Sequence, residues 1–116
     1  MNPFIIKQND TLPALIVRIK TREVLLGGVI SFDLDGVTGI TFSMIDNCGN
    51  LKISEQSGTI LCSSGGTIQY SWQNGDTDEA GKFTGEFELN YSNGGKLSVP
   101  QLGGIDIEII KDINPY

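Results

Sequence analysis

Two stretches of this chain alternate so cleanly that they leave little choice of fold. In residues 67–72, Ile68, Tyr70 and Trp72 fall on one face, with Thr67, Gln69 and Ser71 on the other. In residues 82–91, Phe83, Gly85, Phe87, Leu89 and Tyr91 share a face, opposite Lys82, Thr84, Glu86, Glu88 and Asn90. Successive side chains of a strand point to opposite faces, so a period of two with aromatics on one side marks half-buried strands. Between them lies a polar segment carrying Asp76, Asp78 and Glu79. This pattern predicts two strands joined by an acidic turn, with Tyr70, Trp72, Phe83 and Phe87 as structural core.

The remaining sequence breaks into more short alternations separated by turn residues. Residues 4–7 read as a first strand, followed by a turn at Asn9-Asp10-Thr11 and by Pro13, which is unsuited to a central ladder. A strand is predicted over 14–20, with Leu15, Val17 and Ile19 inward; Ile16 spoils its outer face and suggests cover on both sides. Alternation recurs at Ile30, Phe32, Leu34, at Ile40, Phe42, Met44, at Leu51, Ile53, at Ile60, Cys62, over Lys96–Val99, and at Ile105, Ile107, Ile109. Gly27-Gly28, Asn47-Cys48-Gly49-Asn50, Ser63-Ser64-Gly65-Gly66, Ser92-Asn93-Gly94-Gly95 and Gly103-Gly104 supply the turns. No window has a convincing helical period. The prediction is all-β: an antiparallel, immunoglobulin-like β-sandwich of about seven to nine strands, forming one domain over 1–116 with short terminal extensions. A chain of this mass buries about two-thirds of its surface on folding, enough for a core without staples.

Charge and residue inventory narrow the chemistry. The net charge is −6 and the eight Lys and Arg are scattered, so a phosphate-tracking surface is not expected, and no nucleic-acid partner is predicted. The apolar runs are too short to cross a bilayer with a helix, and residues 1–20 lack the apolar core of a signal peptide, so no membrane partner is expected. There is no histidine, which removes Ser-His-Asp and Cys-His machinery and most transition-metal sites. Cys48 and Cys62 are read as reduced, with a mutual bridge as the alternative. Counting a calcium loop from Asp76 puts Ala80 and Phe87 where ligands are needed, so the segment reads as a capped polar turn. No catalytic, cofactor-binding or metal residues are assigned, and the chain is expected not to be an enzyme and to need no cofactors.

A family likeness adds to this. Tyr70-x-Trp72, the acidic turn Asp76-Thr77-Asp78, and Gly81-x-Phe83-x-x-Glu86-Phe87 resemble the immunoglobulin-like N-terminal module of the phage baseplate upper protein family. Asp10-Thr11-x-Pro13, Asp33-Leu34-x-Gly36 and Ile40-x-Phe42-x-Met44 follow in the same order. Asp78-x-x-Gly81-x-Phe83 is also similar to the corner of immunoglobulin domains, with Phe for the usual Tyr, so apolar packing is expected to fix that corner.

The resemblance implies a bacteriophage virion structural protein: a non-enzymatic docking or assembly module of the tail, baseplate or head–tail region. It would be synthesised in the host cytoplasm and held in the virion in multiple copies by other phage structural proteins. Pro3, Phe4, Ile113 and Tyr116, near the termini, are the candidate partner contacts. The alternatives are a capsid decoration protein and a carbohydrate-binding module; the latter requires an accessible Trp72 or Tyr91.

Overall fold

The structure, a computed structural model, describes residues 3–23, 28–31, 34–100 and 103–113, with 20–23 and 28–31 as backbone. Its elements are strands: β1 (Phe4–Lys7), β2 (Leu15–Arg18), β3 (Lys20–Glu23), β4 (Gly28–Ser31), β5 (Val37–Asp46), β6 (Leu51–Ser57), β7 (Thr59–Cys62), β8 (Thr67–Tyr70), β9 (Gly81–Tyr91), β10 (Lys96–Val99) and β11 (Ile105–Ile110). One sheet runs β1-β11-β9-β5-β6, with β10 also paired to β9; the other runs β2-β8-β7. The two form an immunoglobulin-like β-sandwich.

Strand β9 anchors the larger sheet because its alternation is unbroken. Phe83, Phe87 and Leu89 are buried while Lys82, Thr84 and Glu86 face water. Gly85 occupies the one inward position without a side chain, and it has to. A Cβ there would lie 2.7 Å from Phe42 Cζ and 2.9 Å from Ile107 Cδ1. The freed space admits Phe42, whose ring stacks on Tyr70 of the facing sheet at 4.6 Å and tilts against Phe87 at 4.9 Å. Trp72 closes the cluster edge-on to both Phe42 and Tyr70. These rings are the hydrophobic centre of the sandwich, as the alternation predicts.

Several sequence expectations need correction. The sandwich is not purely antiparallel: β1 pairs with β11 in parallel, Phe4 opposite Ile107 through Lys7 opposite Ile110. The chain crosses between sheets from Lys7 to Leu15, so β1 and β2 lie in different layers. Eleven strands are described, more than the seven to nine expected. The strand predicted over 14–20 is interrupted at Ile19, whose N–H leaves the ladder for Gly66 O at 2.7 Å. The strand predicted to reach Trp72 ends at Tyr70, and β4 covers Gly28, where the sequence predicts a turn. Phe32, Asp33 and Gly27 lie outside the described residues. Ile16 is not covered; it stands 56% exposed on edge strand β2.

Candidate functional site

The acidic turn, where carboxylates gather most densely, is a structural corner. Asp76 Oδ2 accepts the Tyr70 hydroxyl at 2.6 Å and the Gln73 N–H at 2.8 Å. Burial, reinforced by this carboxylate, raises the Tyr70 pKa well above the usual phenol range and keeps the hydroxyl protonated. Thr77, fully buried, donates to Asp10 O at 2.7 Å, and Thr77 O accepts Asn9 N–H at 2.9 Å. Gln8 Nε2 reaches Asp78 O at 2.9 Å, and Lys52 forms an ion pair with the Asp78 carboxylate. The loop after β1 is thereby latched to the turn before β9. Phe83, lacking a hydroxyl, leaves polar fixing of the corner to Tyr70 and Thr77, so packing alone does not hold it.

The neighbouring β5–β6 turn is closed in the same manner. Asp46 Oδ1 accepts N–H groups from Cys48 at 2.8 Å and Asn50 at 2.9 Å, and these bonds, chiefly Asn50's, lower its pKa. Such saturation suits structure better than acid–base work. Among the described residues, no three His, Cys, Asp or Glu gather where they could hold a metal ion. Cys48 and Cys62 are both exposed and free.

The described terminal residues proposed as partner contacts differ in their surroundings. Phe4 is half-buried, its ring 5.9 Å from Trp72, and belongs to the margin of the core. Pro3 is exposed and borders a shallow hollow of about 320 Å³ on the outer face of the large sheet, beside Lys82, Thr84, Asp106 and Glu108. Ile113 is 88% exposed at the far end of the sandwich, and Tyr116 lies outside the described residues.

The opposite end carries a feature that sequence reasoning missed. Among the described residues, strands β3 and β4 pair only with each other, Lys20 opposite Ser31 through Glu23 opposite Gly28, and join neither sheet. This hairpin is inserted between β2 and β5. Backbone hydrogen bonds gather its flanks with the other loops at that end: Ile19 N–H to Gly66 O, Leu34 N–H to Ser63 O at 3.0 Å, and Ser92 N–H to Gly36 O at 2.9 Å. Leu34, 1% exposed, plugs the core beneath them. The available signal is the presence of two strand-like runs on either side of Gly27-Gly28.

No protein-family model matches the chain, and no curated protein does. Its architecture is similar to that of a solved structure, CopC from Methylosinus trichosporium OB3b. The likeness covers 98% of this chain and 89% of that one, with a TM-score of 0.52 and 12% identity. At that identity the likeness establishes the sandwich fold alone.

The virion reading is corrected accordingly: the solved structure that shares the fold is CopC, not a phage protein, and the shared sandwich lends no support to a virion role. The physical reason lies in the motifs used. Tyr70, Trp72, Phe83 and Phe87 are core, and Asp76 and Thr77 tie a corner, so the pattern specifies a sandwich without specifying an assembly. The tail, baseplate, head–tail and capsid-decoration roles are withdrawn. The carbohydrate-binding alternative loses its Trp72 platform as well. Trp72 is 4% exposed and Tyr91 is half-buried against the core.

Proposed function

We propose that this chain is a non-enzymatic recognition domain that grips a protein partner with the loop end of its sandwich. The observation carrying this reading is the β3–β4 hairpin, an insertion that among the described residues is paired to neither sheet. An isolated two-stranded hairpin is marginally stable in water and gains from a further packing surface. A partner seated across the hairpin and the adjoining 63–66 and 92–95 turns would supply it. Loops clustered at one end of an immunoglobulin-like sandwich are also where variable domains place their binding segments. The net charge of −6 favours a protein partner over nucleic acid.

Photo-crosslinking residues placed singly at Ser64 or Asn93, both exposed at the loop end, test this against controls at Asn47 and Glu79. The expected result is one protein captured from the loop-end positions and not from the controls. Its affinity for the purified domain should fall by about tenfold or more when residues 20–31 are replaced by a short Gly-Ser linker, with the sandwich still cooperatively folded. Capture mainly from Asn47 and Glu79, or binding indifferent to the excision, would remove the basis for the proposal.

A further inference from the structure

The chain contains two Asn-Gly pairs in turns, and their surroundings differ in a way that bears on spontaneous chemistry. Asn93 and Gly94 are both engaged. Asn93 Oδ1 accepts the Gly95 N–H at 2.8 Å, and the Gly94 N–H donates to Tyr91 O at 3.0 Å. Asn74 and Gly75 lie exposed in the turn closed by Asp76 N–H to Gln73 O at 3.1 Å. Among the described residues, neither the Asn74 side chain nor the Gly75 N–H has a hydrogen-bond partner. Gly75 has φ +93°, and a Cβ built on it would meet nothing within 4 Å, so no other part of the chain packs over this side of the turn.

We propose that Asn74 is a self-modification site. The Gly75 backbone nitrogen gives up its proton to solvent base and attacks the Asn74 side-chain carbonyl carbon. A carbon–nitrogen bond forms, the side-chain carbon–nitrogen bond breaks, and ammonia leaves with a proton returned from solvent. Water then opens the cyclic imide at either carbonyl, giving aspartate or isoaspartate at residue 74. No oxidation change occurs, and the only co-reactant is water. At Asn93-Gly94 the same step first requires two hydrogen bonds to break, which holds that site back.

The products differ in consequence. Aspartate adds a negative charge to a turn already holding Asp76, Asp78 and Glu79. Isoaspartate also lengthens the main chain by a methylene between Gln73 and Asp76, whose carboxylate binds both the Tyr70 hydroxyl and the Gln73 N–H. Conversion to isoaspartate therefore loosens the corner, whereas conversion to aspartate leaves its path unchanged.

The test is incubation of the intact folded protein at mildly alkaline pH, followed by brief tryptic digestion and mass spectrometry. Cleavage after Lys52, Lys82 and Lys96 places Asn74 and Asn93 in separate peptides. Acid products should accumulate several-fold faster in peptide 53–82 than in 83–96, and the two rates should converge in the urea-unfolded chain. Asn74→Gln should abolish the products at 74. Equal rates in the folded protein, or faster conversion at Asn93, would overturn the assignment. The isoaspartate fraction should melt below the unmodified protein while Asn74→Asp melts with it; an unchanged isoaspartate melt would refute the loosened corner.

Discussion

The hydroxyl of Tyr70 donates to Asp76 Oδ2 at 2.6 Å, joining the deepest aromatic of the small sheet to the turn that leads into β9. A hydrogen bond to a charged group is worth about 1.5–3 kcal/mol, more than a neutral one. Tyr70→Phe should therefore destabilise the protein by about that amount while leaving the ring stack on Phe42 in place. Urea unfolding midpoints measure it; a change within error would mean that the bond adds nothing net.

The same pair sets an alkaline limit. Burial and Asp76 raise the Tyr70 pKa in the folded state above its unfolded value, which is about 10. The neutral form is thus favoured by folding, so this stabilisation is complete below about pH 10 and is lost as pH climbs toward the folded pKa. Stability measured between neutral pH and pH 11 should decline at the alkaline end. Tyr70→Phe should flatten the decline even though it lowers the starting point. At the acid end Asp46 works in the opposite direction. Its lowered pKa gives stability that is present above the unfolded carboxylate value, about 3.9, and lost as pH falls through the folded one.

Gly85 should tolerate no side chain. With a Cβ 2.7 Å from Phe42 Cζ and 2.9 Å from Ile107 Cδ1, Gly85→Ala overfills the core and should cost about 1–3 kcal/mol. Combining it with Phe42→Leu makes room, so the double variant should lose less than the sum of the two single losses. Thermal or urea unfolding of all four proteins decides the matter; simple additivity would mean that the residues are not coupled.

Trp72 offers a contrast between packing and polarity. Its Nε1 is buried and has no partner among the described residues, so Trp72→Phe removes a donor without removing a hydrogen bond. Trp72→Ala empties the site and should cost about 3–5 kcal/mol, and Trp72→Phe clearly less. At 4% exposure the indole should resist acrylamide quenching in the folded protein and yield to it in urea. Quenching equal in both states would contradict its burial.

The strands that period-two alternation made legible are those with one wet and one dry face. Residues 81–91 alternate because β9 packs inward on one side only, and its inward set was readable residue by residue. The parallel pairing of β1 was not readable, because an alternating tetrapeptide carries no information about its neighbour or direction. The β3–β4 hairpin was not readable as a unit, because alternation marks single strands and does not say which run pairs with which; among the described residues these two pair with each other. Of the turn chemistry, Asp76 was recognisable as a cap. Its bond to Tyr70 was not, since Tyr70 was already accounted for as a core aromatic, and a hydroxyl at the end of a buried ring leaves no mark on the alternation.

The parallel match of Phe4–Lys7 with Ile107–Ile110 has a consequence for biosynthesis. During translation, β1 emerges early but must remain without its ladder partner until β11 has cleared the ribosome. Loop closure over almost the whole chain has to precede any reward from that pairing, which is the condition for slow final docking. Until then, β1 lacks the ladder partner it has in the folded structure, and exposed strands of this kind invite pairing with other nascent chains. The step that completes the large sheet is thus also the step at which the newborn protein is most open to the wrong neighbour.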